Sequence, residues 1–283
     1  MNDSLSVTDP SVAIRASMLA EEYHAARAMS STGIKHLMRS PAHYRAWLET
    51  PMKATAAMQF GTLVHTAILE PDKLESRTRM IPDDAPTRQS KAGKQWWEDF
   101  SAGSIGRIMV DRADWEKLEG LRQSALDSPS VQVLLAECVP EVSLAWRDQG
   151  VTCKARLDAT PEGFARIVDL KSTTDATPEA FSRAIHRYGY HIQAAWYLRG
   201  AIAHSSTMPE WYWLAIETTK PFAISPYRAP AKMLTHANGL IERALSMYRK
   251  CVAENYWPAY DPAIRDIDLP AWSYREQWNA EEF

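Results

Sequence analysis

Two aspartates and a lysine stand out in this chain. Asp158 closes the run Ala155-Arg156-Leu157-Asp158, and Asp169 and Lys171 sit in Ile167-Val168-Asp169-Leu170-Lys171. Side chains alternate across an extended strand, so Ile167, Asp169 and Lys171 share one face while Val168 and Leu170 point to the other. Lys154, Arg156 and Asp158 share the polar face of the preceding run, and Asp158 ends that strand. If the two strands pair as a hairpin, both aspartates approach one point. A hard divalent cation takes oxygen ligands and keeps waters for a substrate phosphate, so two carboxylates suffice to anchor it. Such an ion lowers the pKa of a bound water and neutralises charge on an attacked phosphodiester. Lys171 can orient that water or stabilise the developing anion. An Asp-x-Lys triplet alone arises about once per few hundred residues at average usage, and a surface salt bridge describes it equally well. Its place on an apolar strand, after a strand that also ends in an aspartate, argues for the metal.

Two helical pairs add to this set. Gly61 and His65 lie four residues apart, on one side of an amphipathic helix. A glycine there lets another backbone come close, and His65 can reach a metal; a lone histidine in such a helix is also compatible with a hydrogen-bonded core residue. Gln193 and Tyr197 are again four apart, on a helix following the Asp169 strand. Their polar tips would point back at the strand ends, although an interfacial tyrosine with an incidental glutamine fits the same spacing.

The elements that must position these residues follow from periodicity and punctuation. A weakly ordered arm precedes a short helix over residues 13–29. Ser31-Thr32 can cap a helix carrying Ile34, Leu37 and Met38, and Pro41 opens the next. A stronger helix spans residues 55–69, with Phe60, Leu63, Val64, Ala67 and Ile68 at helical spacing, and Pro71 ends it. Residues 76–94 read as a loop or excursion. Trp96, Trp97, Ile108, Trp115, Leu118 and Leu121 suggest helices that continue to about residue 135. The pattern then turns to strands over 141–146, 151–158 and 165–171, with turns at Gln149-Gly150 and Pro161-Glu162-Gly163. Helices over 178–187 and 191–203 follow, then strands over 211–217 and 222–227 and a long helix over 231–255. The tail holds Trp257, Tyr260, Trp272, Tyr274 and Trp278 and is expected to lie against the body or a neighbouring subunit.

The chain has 283 residues, 46% of them hydrophobic, enough for one large core. No apolar run is long enough to span a membrane, and the polar start MNDSLSVTDPS is not a signal peptide. Three scattered cysteines, Cys138, Cys153 and Cys251, form no CxxC pair. That excludes a zinc ribbon or disulfide framework and fits a reducing cytoplasm. The formal net charge of −3 excludes a globally basic nucleic-acid coat, so a polyanion would have to meet local positive charge. Residues 143–199 carry eight Lys/Arg against six acids, a balance that a bound cation would raise. A mixed solvated surface accounts for that charge equally well.

In order, Gly-x-x-x-His, Glu, Asp, Asp-x-Lys and Gln-x-x-x-Tyr resemble the pattern of RecB-type nucleases in the PD-(D/E)XK superfamily. They are most similar to the RecE-type exodeoxyribonucleases (exonuclease VIII) of phage and prophage. The stretches concerned are residues 60–71, 153–158, 168–175 and 188–197, with Ser40-Pro41 resembling the family's opening; together they run from about residue 32 to 227. The resemblance implies an α/β PD-(D/E)XK core, a mixed central sheet flanked by helices, with helical N-terminal additions. It places a nuclease domain over residues 31–260, between an arm (1–30) and a tail (261–283). It implies His65, Asp158 and Asp169 as metal ligands with Glu141 as a further acid near the metals, Lys171 as the catalytic lysine, and Gln193 and Tyr197 positioning the lysine or the DNA backbone. Leu157-Asp158 replaces the usual Pro-Asp, a structural rather than chemical departure. Candidates for touching DNA are Arg156, Arg183, Arg187, Tyr188, Tyr190 and His191; Trp196 is better used in the core.

The implied activity is a Mg²⁺-dependent, 5′→3′ exodeoxyribonuclease on linear double-stranded DNA, with Mn²⁺ a possible substitute. It would leave 3′ single strands for a RecT-type annealing partner in a bacterial cytoplasm. Such enzymes tend to form rings, and a ring would let several acidic subunits line one basic channel. A Cas4-like or repair nuclease on single strands or flaps is a second reading, opposed by the missing cysteine cluster. A catalytically silent DNA-binding subunit on the same fold is a third, opposed by the intact Asp158, Asp169 and Lys171.

Overall fold

A computed structural model describes residues 13–15, 18, 20–50, 54–205, 207–270 and 273–275. The chain opens with strand β1 (Ala13–Arg15) and helix α1 (Ala20–Ala25). Helices α2 (Ser31–Arg39), α3 (Pro41–Glu49) and α4 (Ala56–Leu69) follow. Each starts on a hydroxyl cap, Ser30, Ser40 and Thr55, whose oxygen accepts a backbone N–H of the first turn. An excursion holds α5 (Leu74–Arg77), β2 (Thr78–Met80), α6 (Lys91–Ala102) and β3 (Ile108–Val110). Helices α7 (Arg112–Asp127) and α8 (Pro129–Leu135) lead into strands β4 (Cys138–Asp148), β5 (Val151–Pro161) and β6 (Arg166–Thr173). Then come α9 (Pro178–Tyr188), α10 (Tyr190–His204), β7 (Glu210–Glu217), β8 (Ile224–Arg228) and α11 (Ala231–Glu254).

The main sheet has the order β1-β4-β5-β6-β7-β8. It is mixed: β6 and β7 run parallel and the other neighbours antiparallel. A parallel pair needs a crossover, and α9 and α10 supply it. Parallel strands are covered on both faces and read as continuous apolar runs. β6 shows this: Ile167 packs in one core, Val168 and Leu170 in the other. The first core lies between the sheet and α2, α3, α9, α10 and α11; the second lies between the sheet and α4, α7 and α8. No helix among the described residues is long and apolar enough to cross a membrane.

Gly189 sets the angle between α9 and α10. It ends one helix and opens the next in the left-handed region (φ 66°), and the Lys35 side chain lies so close that a Cβ would sit 2.9 Å from its Cδ. The Arg166 guanidinium reaches the Leu134, Val133 and Ala136 carbonyls, tying the start of β6 to the end of α8.

Several local expectations change. Residues 13–29 are not one helix: β1 pairs antiparallel with β4, and only Ala20–Ala25 is helical. The expected arm, residues 1–12, lies outside the described residues. Ser30, rather than Ser31-Thr32, caps α2. Residues 108–110 form a strand beside β2 instead of a helix. β5 continues three residues past Asp158, so that aspartate lies within its strand. In the tail, Trp257 stacks on Tyr44 with ring centroids 5.9 Å apart, and the Tyr260 hydroxyl accepts from Arg39, so this part of it lies against the body. Trp272 and Trp278 lie outside the described residues.

Gly200 on α10 meets the Trp146 ring on β4, where a Cβ would sit 2.8 Å from Cζ3. Trp146 is buried and packed on Trp196, so it has little room to yield. Alanine would gain about 1 kcal/mol of helix propensity, but overpacking costs about 1–3 kcal/mol. Gly200→Ala is therefore expected to lower the urea midpoint with an unchanged slope; a raised midpoint would contradict this packing.

Candidate metal centre

The candidate site forms where β5 and β6 part. These strands share one registered pair, Ala159 with Val168. Beside it a side chain takes over the ladder: Asp158 Oδ2 accepts the Leu170 N–H at 2.8 Å. The apolar residues of β5 change sides here, with Cys153, Ala155 and Leu157 in the first core and Ala159 in the second. Opposite, on β4, Glu141 takes a left-handed backbone conformation (φ 58°) between the pairs Pro140–Ala159 and Val142–Leu157. A glutamate at positive φ is uncommon and persists only where its surroundings over-determine it.

Helix α4 brings His65 to this fork from the second layer, because Leu63, Val64 and Ala67 bury the helix against the sheet. His65 Nε2 lies 3.1 Å from the Leu170 carbonyl, and Nδ1 lies 3.5 Å from Asp158 Oδ2. In the tautomer that donates Nε2–H to that carbonyl, Nδ1 is left as a bare ligand atom. His65, Glu141 and Asp158 each offer one ligand atom, and the three lie within 4.8 Å of one another.

Asp169 approaches from the other face of β6 and is fully buried. Gln193 Nε2 donates to its Oδ1 at 3.0 Å. The Lys171 ammonium lies 2.6 Å from Oδ2, a short charge-assisted contact. Burial pushes the Asp169 carboxyl up to about 6; the Lys171 charge opposes the shift and Asp158 adds to it. Burial alone would lower Lys171, but Asp169 and Asp158 outweigh it and hold the ammonium above its ordinary value. Lys171 also lies over the Tyr190 ring, 4.9 Å from the centroid.

These residues fit a divalent cation. Two carboxylates and an imidazole converge, and a fully buried carboxylate stands beside them. Oxygen ligands with one nitrogen suit Mg²⁺ or Mn²⁺. The tight trio is His65, Glu141 and Asp158; Asp169, engaged with Lys171 and Gln193, lies beside it within electrostatic reach of Asp158 and His65.

Other candidate residues fall differently. Gln193 reaches the site. Tyr197 is 9% exposed and packs edge-on against Trp211, too deep to touch a DNA backbone; of its two implied roles, only one inside the protein remains. Arg156 is also withdrawn from DNA contact. Its guanidinium is committed to the Glu141 carboxylate, the Ser143 hydroxyl and the Met18 carbonyl. His191 is buried, with Nδ1 3.2 Å from the Ile185 carbonyl, and offers no DNA-facing surface. Arg183, Arg187 and Tyr188 are exposed, and Tyr190 is half-buried. Gly61 makes none of the close approach expected of it: among the described residues, and apart from its chain neighbours and its own helix's backbone, nothing lies within 4 Å of where its Cβ would be.

Lys35 escaped sequence reasoning. It comes from α2, donates to the Tyr188 carbonyl at 3.2 Å, and is held below its ordinary pKa by burial and then by Lys171. No local motif marks a lysine brought in from so far away. The Arg156–Glu141 pair joins neighbouring strands, and only their register could have suggested it.

A mixed sheet between two helical layers, split where two aspartates, a glutamate, a histidine and a lysine gather, is the layout of the PD-(D/E)XK superfamily. The chain belongs to the PDDEXK-like domain of unknown function family (DUF3799), whose model matches residues 30–264. Among solved structures, a protein described as a candidate exonuclease from Eubacterium rectale shares the fold with a TM-score of 0.63 at 14% identity, over 92% of this chain and 98% of that one. A phage-related exonuclease from Haemophilus somnus 129PT aligns at a TM-score of 0.33 and 10% identity, over 81% of this chain and 96% of that one. No curated protein matches the chain.

Two outcomes are expected. Arg156→Ala removes the cation that competes for the Glu141 carboxylate and should tighten Mn²⁺ binding, read by calorimetry without DNA, with Arg156→Lys close to wild type; weakened affinity would show that Arg156 serves chiefly to position Glu141. Asp169 must lose a proton to meet an ion, so Mn²⁺ affinity should fall as pH drops through the region where that carboxyl protonates. Equal affinity at about pH 5 and about pH 7.5 would contradict a role for Asp169 in binding the ion.

Proposed function

We propose that this protein is a divalent-metal-dependent exodeoxyribonuclease acting on the ends of linear double-stranded DNA. The observation that carries the reading is the gathering of His65, Glu141 and Asp158 within 4.8 Å, with the Asp169–Lys171 pair alongside. A bound Mg²⁺ would supply an activated water and neutralise charge on the phosphate. His65, Asp158 and Glu141 are the residues to hold it, with Asp169 lending further negative charge. Lys171 stays protonated beside Asp169 and meets the negative charge that develops on the attacked phosphate. Gln193 fixes the Asp169 carboxylate, and Tyr197, buried beside Gln193, acts on the site only through it.

The finer reading rests on the resemblance to RecE-type enzymes of phage and prophage. On it, digestion runs 5′→3′ and leaves 3′ single strands for a RecT-type annealing protein. Subunits assemble as a ring, which would let a chain of net charge −3 enclose a polyanion by pooling local cations such as Arg183 and Arg187. Exposed Tyr188 offers a face on which a displaced base can stack. The exonuclease description of the Eubacterium rectale fold neighbour agrees with this reading. The Cas4-like alternative lacks support, since the sequence has three cysteines and no CxxC pair, with Cys153 and Cys251 buried and Cys138 half-buried.

The test is Mg²⁺-dependent digestion of end-labelled duplex. Linear DNA should be degraded and closed circles spared, and a block at one 5′ terminus should protect that strand. Lys171→Ala should cost about 10²–10³ in turnover with folding intact. Efficient cutting of closed circles would sink the exonuclease reading, and undiminished turnover in Lys171→Ala would sink the site assignment.

A further inference from the structure

Gly61 occupies the interior of α4, where glycine destabilises a helix relative to alanine. A glycine persists in such a place when something must come near it. Among the described residues nothing does: outside its chain neighbours and its own helix's backbone, a Cβ at Gly61 would meet no atom within 4 Å. The contrast with Gly33, Gly120 and Gly200 is plain, since a Cβ at each would run into an aromatic ring or the Met29 sulfur at 3.2 Å or closer. The open space lies on a particular face. Gly61 is one turn before His65, whose side chain is 26% exposed at the fork, and one turn after Met58, which is 44% exposed. Met58, Gly61 and His65 thus form a strip of helix that, among the described residues, is exposed at Met58 and half-buried at Gly61 and His65 and runs to the candidate ligands.

We propose that this strip is the track of the substrate, and that Gly61 keeps it clear so that the DNA backbone can lie against α4 as its phosphate reaches His65 and Asp158. The inference rests on the nuclease reading above and assigns Gly61 a positioning role within it, through clearance rather than chemistry. The absent side chain is an adaptation to an outside partner, so restoring it should help the fold and harm the function.

The experiment compares wild type with Gly61→Ala, Gly61→Leu and Gly239→Ala. Gly239 is a second helical glycine with open surroundings, on α11, which packs against α10, α2 and α3. Thermal unfolding, Mn²⁺ affinity, duplex affinity with Ca²⁺ replacing Mg²⁺, and digestion kinetics are read on each. Gly61→Ala and Gly239→Ala should each raise the melting temperature, by about 2–4 °C. Gly61→Leu should lower kcat/KM about a hundredfold, chiefly through KM and duplex affinity, with Mn²⁺ affinity kept; Gly61→Ala should fall between, and Gly239→Ala should digest like wild type. Gly61→Leu that binds and digests DNA like wild type overturns the proposal while leaving the nuclease reading standing. So does a loss of stability in both Gly61 variants, which would show that the fold itself requires the glycine. Wild type that neither binds nor digests duplex brings down the nuclease reading, and this inference with it.

Discussion

A carboxylate without solvent contact sits on the central strand of the sheet, and much of the molecule is arranged around it. β6 is covered on both faces because it pairs in parallel with β7, so a polar side chain at position 169 is buried as a matter of course. A buried charge is tolerated only with a partner and hydrogen bonds. Lys171, two residues along the same face, supplies the first, and Gln193, from α10, supplies one of the second. The low-dielectric surroundings make each charge there act more strongly than it would in water.

Helices on opposite faces of a sheet cannot ordinarily meet. Side chains from both layers converge on one fork here because β5 and β6 separate after one registered pair, and the Asp158 carboxylate takes the Leu170 N–H that a strand would otherwise claim. Through that gap His65, carried by α4, reaches the same point as Asp158, and Asp169, held by α10, stands next to it. Glu141 is brought in by a left-handed turn of its own backbone, with Arg156 gripping its carboxylate. Arg156 also holds the Met18 carbonyl, and Lys154 donates to the Tyr23 and Ala26 carbonyls, so the N-terminal segment is anchored beside the candidate centre.

Strong local signals made parts of this readable from the residues alone. The alternation of β6 assigned Asp169 and Lys171 to one face and Val168 and Leu170 to the other, as found. α4 and α10 have clear boundaries, the first between a threonine cap and Pro71, the second starting beside a glycine, so His65 and Gln193 could be aimed correctly at the strands. Other features carry no local signature. β2 and β3 are three residues each, too short for a period to show. The sidedness of β5 changes across Asp158, which strict alternation cannot anticipate. Arg156 looked like a DNA contact because a lone cation on a polar face has no visible partner until strand register supplies Glu141 and Ser143. Tyr197 and His191 were assigned by motif and neighbourhood, and burial of the helix that bears them removed both from the surface. Gly61, expected to let another backbone come close, has open surroundings among the described residues.

The central claim is that the parting of β5 and β6 builds a seat for a divalent cation. Anomalous diffraction from crystals soaked in Mn²⁺ tests it without reference to any activity. The expected result is a peak about 2 Å from oxygens of Asp158 and Glu141 and from a ring nitrogen of His65. A map with no peak at the fork, or with its only peak elsewhere on the protein, would contradict it.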